Sequence, residues 1–218
     1  MFPRWLIKIG FFLLYHKMAW SYDLIAWIVS FGQWSAWRRL ALQFMRPGPT
    51  LELAFGTGAF FIDMLDNGYR PVGIDVSPYM AQIAGNRLRR NRRDSRLSQA
   101  RAQALPFPNN TFANVVATFP TDYILEDETL AEIHRVLRQP APHTPSQLII
   151  VAEGQLRGPW PFRPFINWLY QVTGQHDTPL EKPMISLTKS NLAARLEFVD
   201  HNGAAARLII AEKRAPES

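Results

Sequence analysis

The sequence predicts an α/β fold: a seven-stranded, mostly parallel sheet with helices on both faces and an antiparallel hairpin at its C-terminal end. Three observations predict it. Strand-like apolar runs alternate with helix-like runs from residue 50 onward. Leu51-Glu52-Leu53-Ala54-Phe55-Gly56-Thr57-Gly58-Ala59-Phe60 reads as a strand, a glycine turn and a helix start. Asn202-Gly203 separates the last two apolar runs, and such a pair joins antiparallel strands.

Composition bounds the rest. The chain has 218 residues, enough for one domain with a full core. A hydrophobic content of 47% excludes disorder as the overall state. The absence of cysteine excludes disulfides, thiolate metal sites and a cysteine nucleophile. The histidines at 16, 134, 143, 176 and 201 show no ligand spacing, so no metal is expected. A net charge of +6 and a pI near 9.9 favour anionic partners. Much of that charge lies in Arg87-Leu88-Arg89-Arg90-Asn91-Arg92-Arg93-Asp94-Ser95-Arg96. Two readings stand for this run: a solvated helix C-terminus, whose dipole suits cations, or contact with anionic lipid headgroups. Nucleic acid is disfavoured, because no aromatic platform accompanies the run.

Residues 1–46 are expected to form an N-terminal helical lid, and residues 47–218 the main domain. Met1 to Leu14 is apolar but broken by Arg4 and Lys8. It is too short to cross a bilayer, which takes about 20 apolar residues, and no cleavage site follows it. It reads either as a helix packed on the domain or as an interfacial helix with Trp5, Phe11 and Phe12 among headgroups. A cytoplasmic location is expected, and the second reading would hold the protein peripherally on the inner face of the membrane. Trp27 and Trp34 read as core packing. Tyr22 and Asp23 are polar groups within an aromatic segment and call for partners. Pro47-Gly48-Pro49 closes this part.

Strands are expected near 50–54, 71–75, 97–101, 113–119, 146–153, 196–201 and 205–212. Helices are expected near 59–67, 77–92, 126–138, 161–173 and 187–195. The Gly56–Gly58 turn lets backbone N–H groups and a helix start approach a ligand. Asp75 ends the second apolar run, where an acid binds ribose hydroxyls or caps the helix opened by Ser77-Pro78. On spacing alone the cofactor is a dinucleotide or S-adenosylmethionine. Gly158-Pro159-Trp160-Pro161-Phe162 and Trp168-Leu169-Tyr170 read as a pocket wall or lid.

The third motif is Ala104-Leu105-Pro106-Phe107-Pro108-Asn109-Asn110-Thr111-Phe112, followed by a helix ending Arg135-Val136-Leu137. With the Leu53-Ala54-Phe55-Gly56-Thr57-Gly58 turn, it resembles the class I S-adenosylmethionine-dependent methyltransferases, most closely the ubiquinone/menaquinone biosynthesis C-methyltransferases. The resemblance implies a Rossmann-like fold and S-adenosylmethionine as cofactor. It implies that Ala54, Gly56, Thr57 and Gly58 approach the methionine part and that Glu52 meets its amino end. Asp75 and Val76 would flank the ribose, Met80, Arg101 and Ala102 would meet the adenine, and Thr118 would line the sulfonium region. Tyr22 lies in the helices that cover the cofactor in that family.

The implied acceptor is a hydrophobic or lipid-like small molecule such as a quinol-type ring. Asp122, Tyr123 and His176 are candidates for assisting acceptor chemistry. Departures from the family pattern stand at Arg101, at Ala113 and in Phe119-Pro120-Thr121-Asp122-Tyr123, the segment that lies over the substrate. A phospholipid or small-molecule N- or O-methyltransferase, and a non-catalytic cofactor-binding accessory protein, therefore stay open as alternatives.

Overall fold

The computed structural model describes residues 32–140, 145–155, 181–201 and 204–214. The order of elements is helix α1 (Trp34–Arg39), a 3-10 turn (Leu40–Gln43), β1 (Thr50–Leu53), α2 (Ala59–Asp66), β2 (Pro71–Asp75), α3 (Pro78–Arg90), β3 (Leu97–Gln99) and β4 (Asn114–Thr118). A second 3-10 turn (Asp122–Leu125), α4 (Asp127–Val136), β5 (Gln147–Gln155), α5 (Glu181–Lys189), β6 (Leu192–His201) and β7 (Ala204–Lys213) follow.

The strands form one seven-stranded sheet in the order β3-β2-β1-β4-β5-β7-β6. The first five strands pair in parallel, and β7 pairs antiparallel with both β5 and β6. Strand order reverses between β1 and β4, and a sheet of this kind opens its ligand crevice at the carboxyl ends beside that reversal. Side-chain alternation sends Leu51, Leu53, Val115 and Ala117 into one core cluster with Leu130 and Ile133 of α4. It sends Val116, Ile149 and Val151 into the other, with Trp37, Phe60, Phe61, Met64 and Leu88 from α1, α2 and α3. Trp37 is fully buried and lies against Gly154, where an added Cβ would stand 2.1 Å from its ring.

The expected fold class is the observed one, with local differences. The helix expected at 187–195 lies at Glu181–Lys189, and β6 begins at Leu192. Asn191 takes a left-handed φ of 58°, which ends the helix. The ten-residue ladder from Leu192↔Lys213 to His201↔Ala204 then overrides the helix propensity of Leu-Ala-Ala-Arg. β3 is shorter than expected because Arg101 bridges Ala104 and turns the chain. Ala113 packs on Gly48, whose added Cβ would meet the Ala113 Cβ at 2.8 Å, so a larger residue would crowd there. The apolar stretch 1–14, Tyr22, Asp23, Trp27, the helix expected at 161–173, the aromatic segment around 158–170, His176 and the Asn202-Gly203 turn lie outside the described residues.

Candidate functional site

The turn after β1 depends on backbone shape. Ala54, Gly56 and Gly58 adopt φ values of 54°, 54° and 73°. The two glycines serve different ends. A Cβ on Gly58 would meet the Ala84 Cβ at 2.9 Å, so this glycine lets α3 pack against the turn. A Cβ on Gly56 would meet nothing nearer than the Ala54 carbonyl oxygen at 4.0 Å, so this position faces open space. Ala54 holds a left-handed conformation with a side chain, at a cost of about 1–2 kcal/mol.

Asp75 joins the turn to β2. Its Oδ2 accepts from the Gly56 N–H at 2.9 Å and its Oδ1 from the Ser77 N–H at 2.8 Å. Burial pushes its carboxyl above the usual range, opposed by backbone N–H bonds from Ser77, Gly56 and Val76. The N-cap of α3 is Ser77, whose hydroxyl accepts from the Met80 N–H. Beside Asp75 lies a cavity of about 360 Å³ lined by Ala54, Val76, Arg101, Ala102 and Tyr123 among others. Five expected cofactor residues thus converge on one cavity, and Val76, 64% exposed, offers an apolar face beside the acid. Tyr123 lines this same cavity, while Asp122 is exposed. Met80 is buried in α3 and is not part of the cavity wall. Thr57, also buried, receives a 2.9 Å hydrogen bond from Arg87.

At the strand reversal, Thr118 ends β4 half-buried. Phe119 follows at φ 50° and packs on Trp34 with ring centroids 4.1 Å apart. Trp37 completes this aromatic group, 6.4 Å from both rings.

Glu52, on β1 two residues before Ala54, is 1% exposed, and among the described residues its Oε2 has no hydrogen-bond partner. Desolvation drives its carboxyl well above the usual range, Arg38 opposes the shift, and Asp75 and Asp63 add to it. A buried acceptor left unmatched costs about 1–3 kcal/mol, and a cation entering beside it would satisfy it. The open space at Gly56, the cavity at Asp75 and the unmatched Glu52 fit a ligand with a nucleoside at one end and an ammonium at the other.

The third motif explains itself in the structure. Glu132 Oε2 accepts from the Leu105 N–H at 2.6 Å. Arg135 donates to Glu132, to the Leu105 carbonyl at 3.0 Å and to the Phe107 carbonyl at 2.7 Å. The end of α4 therefore fixes the loop that follows Arg101 and Ala102. Sequence reasoning assigned no role to Glu132, although an i,i+3 Glu–Arg pair on a helix is a readable signal. It also missed Arg38 and Asp63. The one acid within the Ala59-Phe60-Phe61-Ile62-Asp63-Met64-Leu65 run should have suggested a buried partner.

Residues 50–140 match the family described as a methyltransferase domain. The demethylmenaquinone methyltransferase of Symbiobacterium thermophilum is 32% identical over 136 residues, covering 57% of this chain and 53% of that protein. The ubiquinone/menaquinone biosynthesis C-methyltransferase of Shewanella oneidensis is 32% identical over 134 residues, again covering 57% and 53%. The chain thus spans about half the length of the curated relatives it matches. Among solved structures, an S-adenosylmethionine-dependent methyltransferase from Thermotoga maritima, described as a possible histamine N-methyltransferase, superposes with a TM-score of 0.61 at 16% identity. That match covers 88% of this chain and 94% of the other. The geranyl diphosphate C-methyltransferase of Streptomyces coelicolor gives 0.61 at 13% identity, covering 83% and 79%. These likenesses show the fold. Over residues 50–140 the chain matches a methyltransferase domain, its fold is that of class I S-adenosylmethionine-dependent methyltransferases, and in sequence it resembles the quinone-biosynthesis C-methyltransferases.

Proposed function

We propose that this chain binds S-adenosylmethionine across the Gly56–Gly58 turn and methylates a small hydrophobic or lipid-like molecule, with a quinol-type ring as the acceptor. The observation that carries the reading is the buried Glu52 oxygen, without a partner among the described residues and placed beside the turn. Burial favours the neutral carboxyl there, a cation beside it would favour the ionised form, and the amino end of the cofactor is such a cation. In this reading Asp75 takes the ribose hydroxyls, Val76 and the Arg101–Ala102 backbone enclose the adenine with Tyr123, and Thr118 borders the reacting end. The cofactor supplies an electrophilic methyl group on a sulfonium. The protein holds acceptor and cofactor in line and excludes water, which the Trp34–Trp37–Phe119 group favours. Asp122 is the exposed candidate for taking up a proton from the acceptor. Residues 1–46 serve as a lid in the same proposal, and their described part already joins the core through Trp37, Leu40, Ala41 and Met45.

Peripheral contact with an anionic membrane belongs to the proposal as well. Among the described residues no helix is long and apolar enough to cross a membrane. The arginine run leaves the C-terminal end of α3, so Arg90, Arg92 and Arg96 sit at the amino-terminal end of the parallel strands. Arg70, just before β2, joins them there. The Asp75 cavity lies at the opposite end. A membrane held by this run would leave the cavity facing away, so lipid-like acceptors would have to leave the bilayer to react.

The test is transfer of a radiolabelled methyl group from S-adenosylmethionine to a panel of quinols, phospholipids and small amines. Label in the quinols supports the reading. Label only in phospholipids or amines replaces the acceptor class, and cofactor binding without transfer to any acceptor replaces the enzyme with an accessory binding protein.

A further inference from the structure

The loops that lead into the first four parallel strands meet at a second cavity. Pro47–Pro49 lie just before β1, Gly68–Arg70 before β2, Arg96 before β3, and Thr111 and Phe112 before β4. Between them is a space of about 740 Å³, larger than the Asp75 cavity and at the opposite end of the sheet. Strand length opens it: β3 begins at Leu97, opposite Gly73, so among the described residues no strand flanks Pro71 and Val72 on that side. The walls are held in place. The Ala113 N–H donates to the Pro49 carbonyl at 2.8 Å, the Gly73 N–H to the Arg96 carbonyl at 2.9 Å, and Arg135 to the Phe107 carbonyl at 2.7 Å. Phe107 stands edge-on to Phe112 with ring centroids 5.1 Å apart. Walls fixed in this way lose little freedom when a ligand arrives.

Their chemistry has two parts. Tyr69, Val72 and Phe107 are only half-buried, and a ligand covering them removes apolar surface from water. The neutral donors are spent inside the protein: the Tyr69 hydroxyl on the Met45 carbonyl at 3.1 Å, the Thr111 hydroxyl on the Pro108 carbonyl at 2.7 Å, and the Asn67 amide on the Asp63 carbonyl at 2.8 Å. The guanidiniums of Arg70 and Arg96 remain. Nearby Arg93 pairs with Asp66, but Arg70 and Arg96 pair with no carboxylate among the described residues, and no acid lines the cavity. A pocket of this size with apolar walls and two cations suits a ligand with an apolar body and an anionic end.

We propose that this cavity binds one single-chain amphiphile with an anionic headgroup, its chain along Val72 and Phe107 and its head at Arg70 and Arg96. The length of the sheet separates it from the Asp75 cavity, so this ligand is not the methyl acceptor. A bilayer lipid keeps its chain on the far side of its headgroup, so the occupant is a free monomer. The inference needs neither the cofactor reading nor membrane contact.

The test is calorimetric titration of alkyl phosphates from hexyl to decyl, each below its micelle concentration, into the wild-type chain. Decyl phosphate should fill one site, with affinity rising by up to about fourfold for each added methylene. Decyltrimethylammonium and inorganic phosphate should bind at least about tenfold more weakly, since each lacks one half of the match. The double variant Arg70→Glu, Arg96→Glu should weaken decyl phosphate about tenfold. Both side chains are exposed, so its melting temperature should stay close to that of the wild type. The ligand series decides the matter even without the variant. Equal affinity for decyltrimethylammonium, affinity that ignores chain length, or unchanged binding by the folded double variant overturns the inference. Binding to phosphatidylglycerol vesicles without binding of monomeric decyl phosphate also overturns it, and leaves the membrane reading standing. None of these outcomes bears on S-adenosylmethionine, whose binding is measured separately.

Discussion

At Glu52 a carboxyl is kept where burial opposes its charge, and its stability effect has a definite sign. Its folded-state pKa is raised, so between the ordinary carboxylate value and that raised value the native state binds more protons than the unfolded one. Stability therefore falls as pH rises through this window. Glu52→Gln should raise the melting temperature of the ligand-free protein near neutral pH, with the gain vanishing as pH falls toward about 4.5, while cofactor affinity drops. Thermal melts across pH check it, and a lower melting temperature at neutral pH would mean that Glu52 already has a cationic partner. Gly58→Ala should destabilise by about 1–3 kcal/mol, read from urea unfolding, because both its φ and Ala84 oppose a side chain. The roles of Gly56 and Asp75 were legible in order and spacing. The burial of Arg38 against Asp63 was not, because nothing in Trp37-Arg38-Arg39 shows which guanidinium turns inward. Only the docking of α1 against α2 decides that.

At the scale of elements, the end of α4 and the loop after β3 behave as one unit. Glu132 is held well ionised by Arg135, so its carboxyl lies below the usual range. A depressed folded-state pKa gives stability that is present above the unfolded value and lost as pH falls through the folded one. Arg135→Ala should cost about 1.5–3 kcal/mol and weaken cofactor binding as the Arg101–Ala102 wall loosens. Unfolding and binding measured on the same variant check this, and lost stability with unchanged affinity would separate the loop from the site. The motif was readable as family sequence, but its cause was not. Leu105 and Arg135 are 30 positions apart, and no local pattern shows that they meet. The misplacement of α5 has a similar origin. Residues 192–195 have helix propensity, yet they lie in a strand because β7 offers a complete ladder.

Across the whole molecule, the sheet separates two kinds of surface. The Asp75 cavity, Glu52 and the aromatic group gather at the carboxyl ends of the strands, and Arg70, Arg90, Arg92 and Arg96 gather at the other end. Charge reversal at Arg90, Arg92 and Arg96 should abolish sedimentation with anionic vesicles and leave cofactor affinity within about twofold, since screened charges at that distance contribute little. Unchanged vesicle binding would remove the arginine run from membrane contact. The alternation of strands and helices made the sheet legible from sequence. The opposition of its two ends was not, because Arg87–Arg96 follows Asp75 closely in the chain and only the length of α3 carries it across the molecule.

The most direct test of the account is calorimetric titration of S-adenosylmethionine into the wild-type chain and into Asp75→Ala. The account predicts one binding site in the wild type and at least about a tenfold loss in the variant, the loss of a charge-assisted bond to the ribose. Equal affinity in the two proteins would contradict the placement of the nucleoside at the Asp75 cavity, and no binding by the wild type would contradict the cofactor itself.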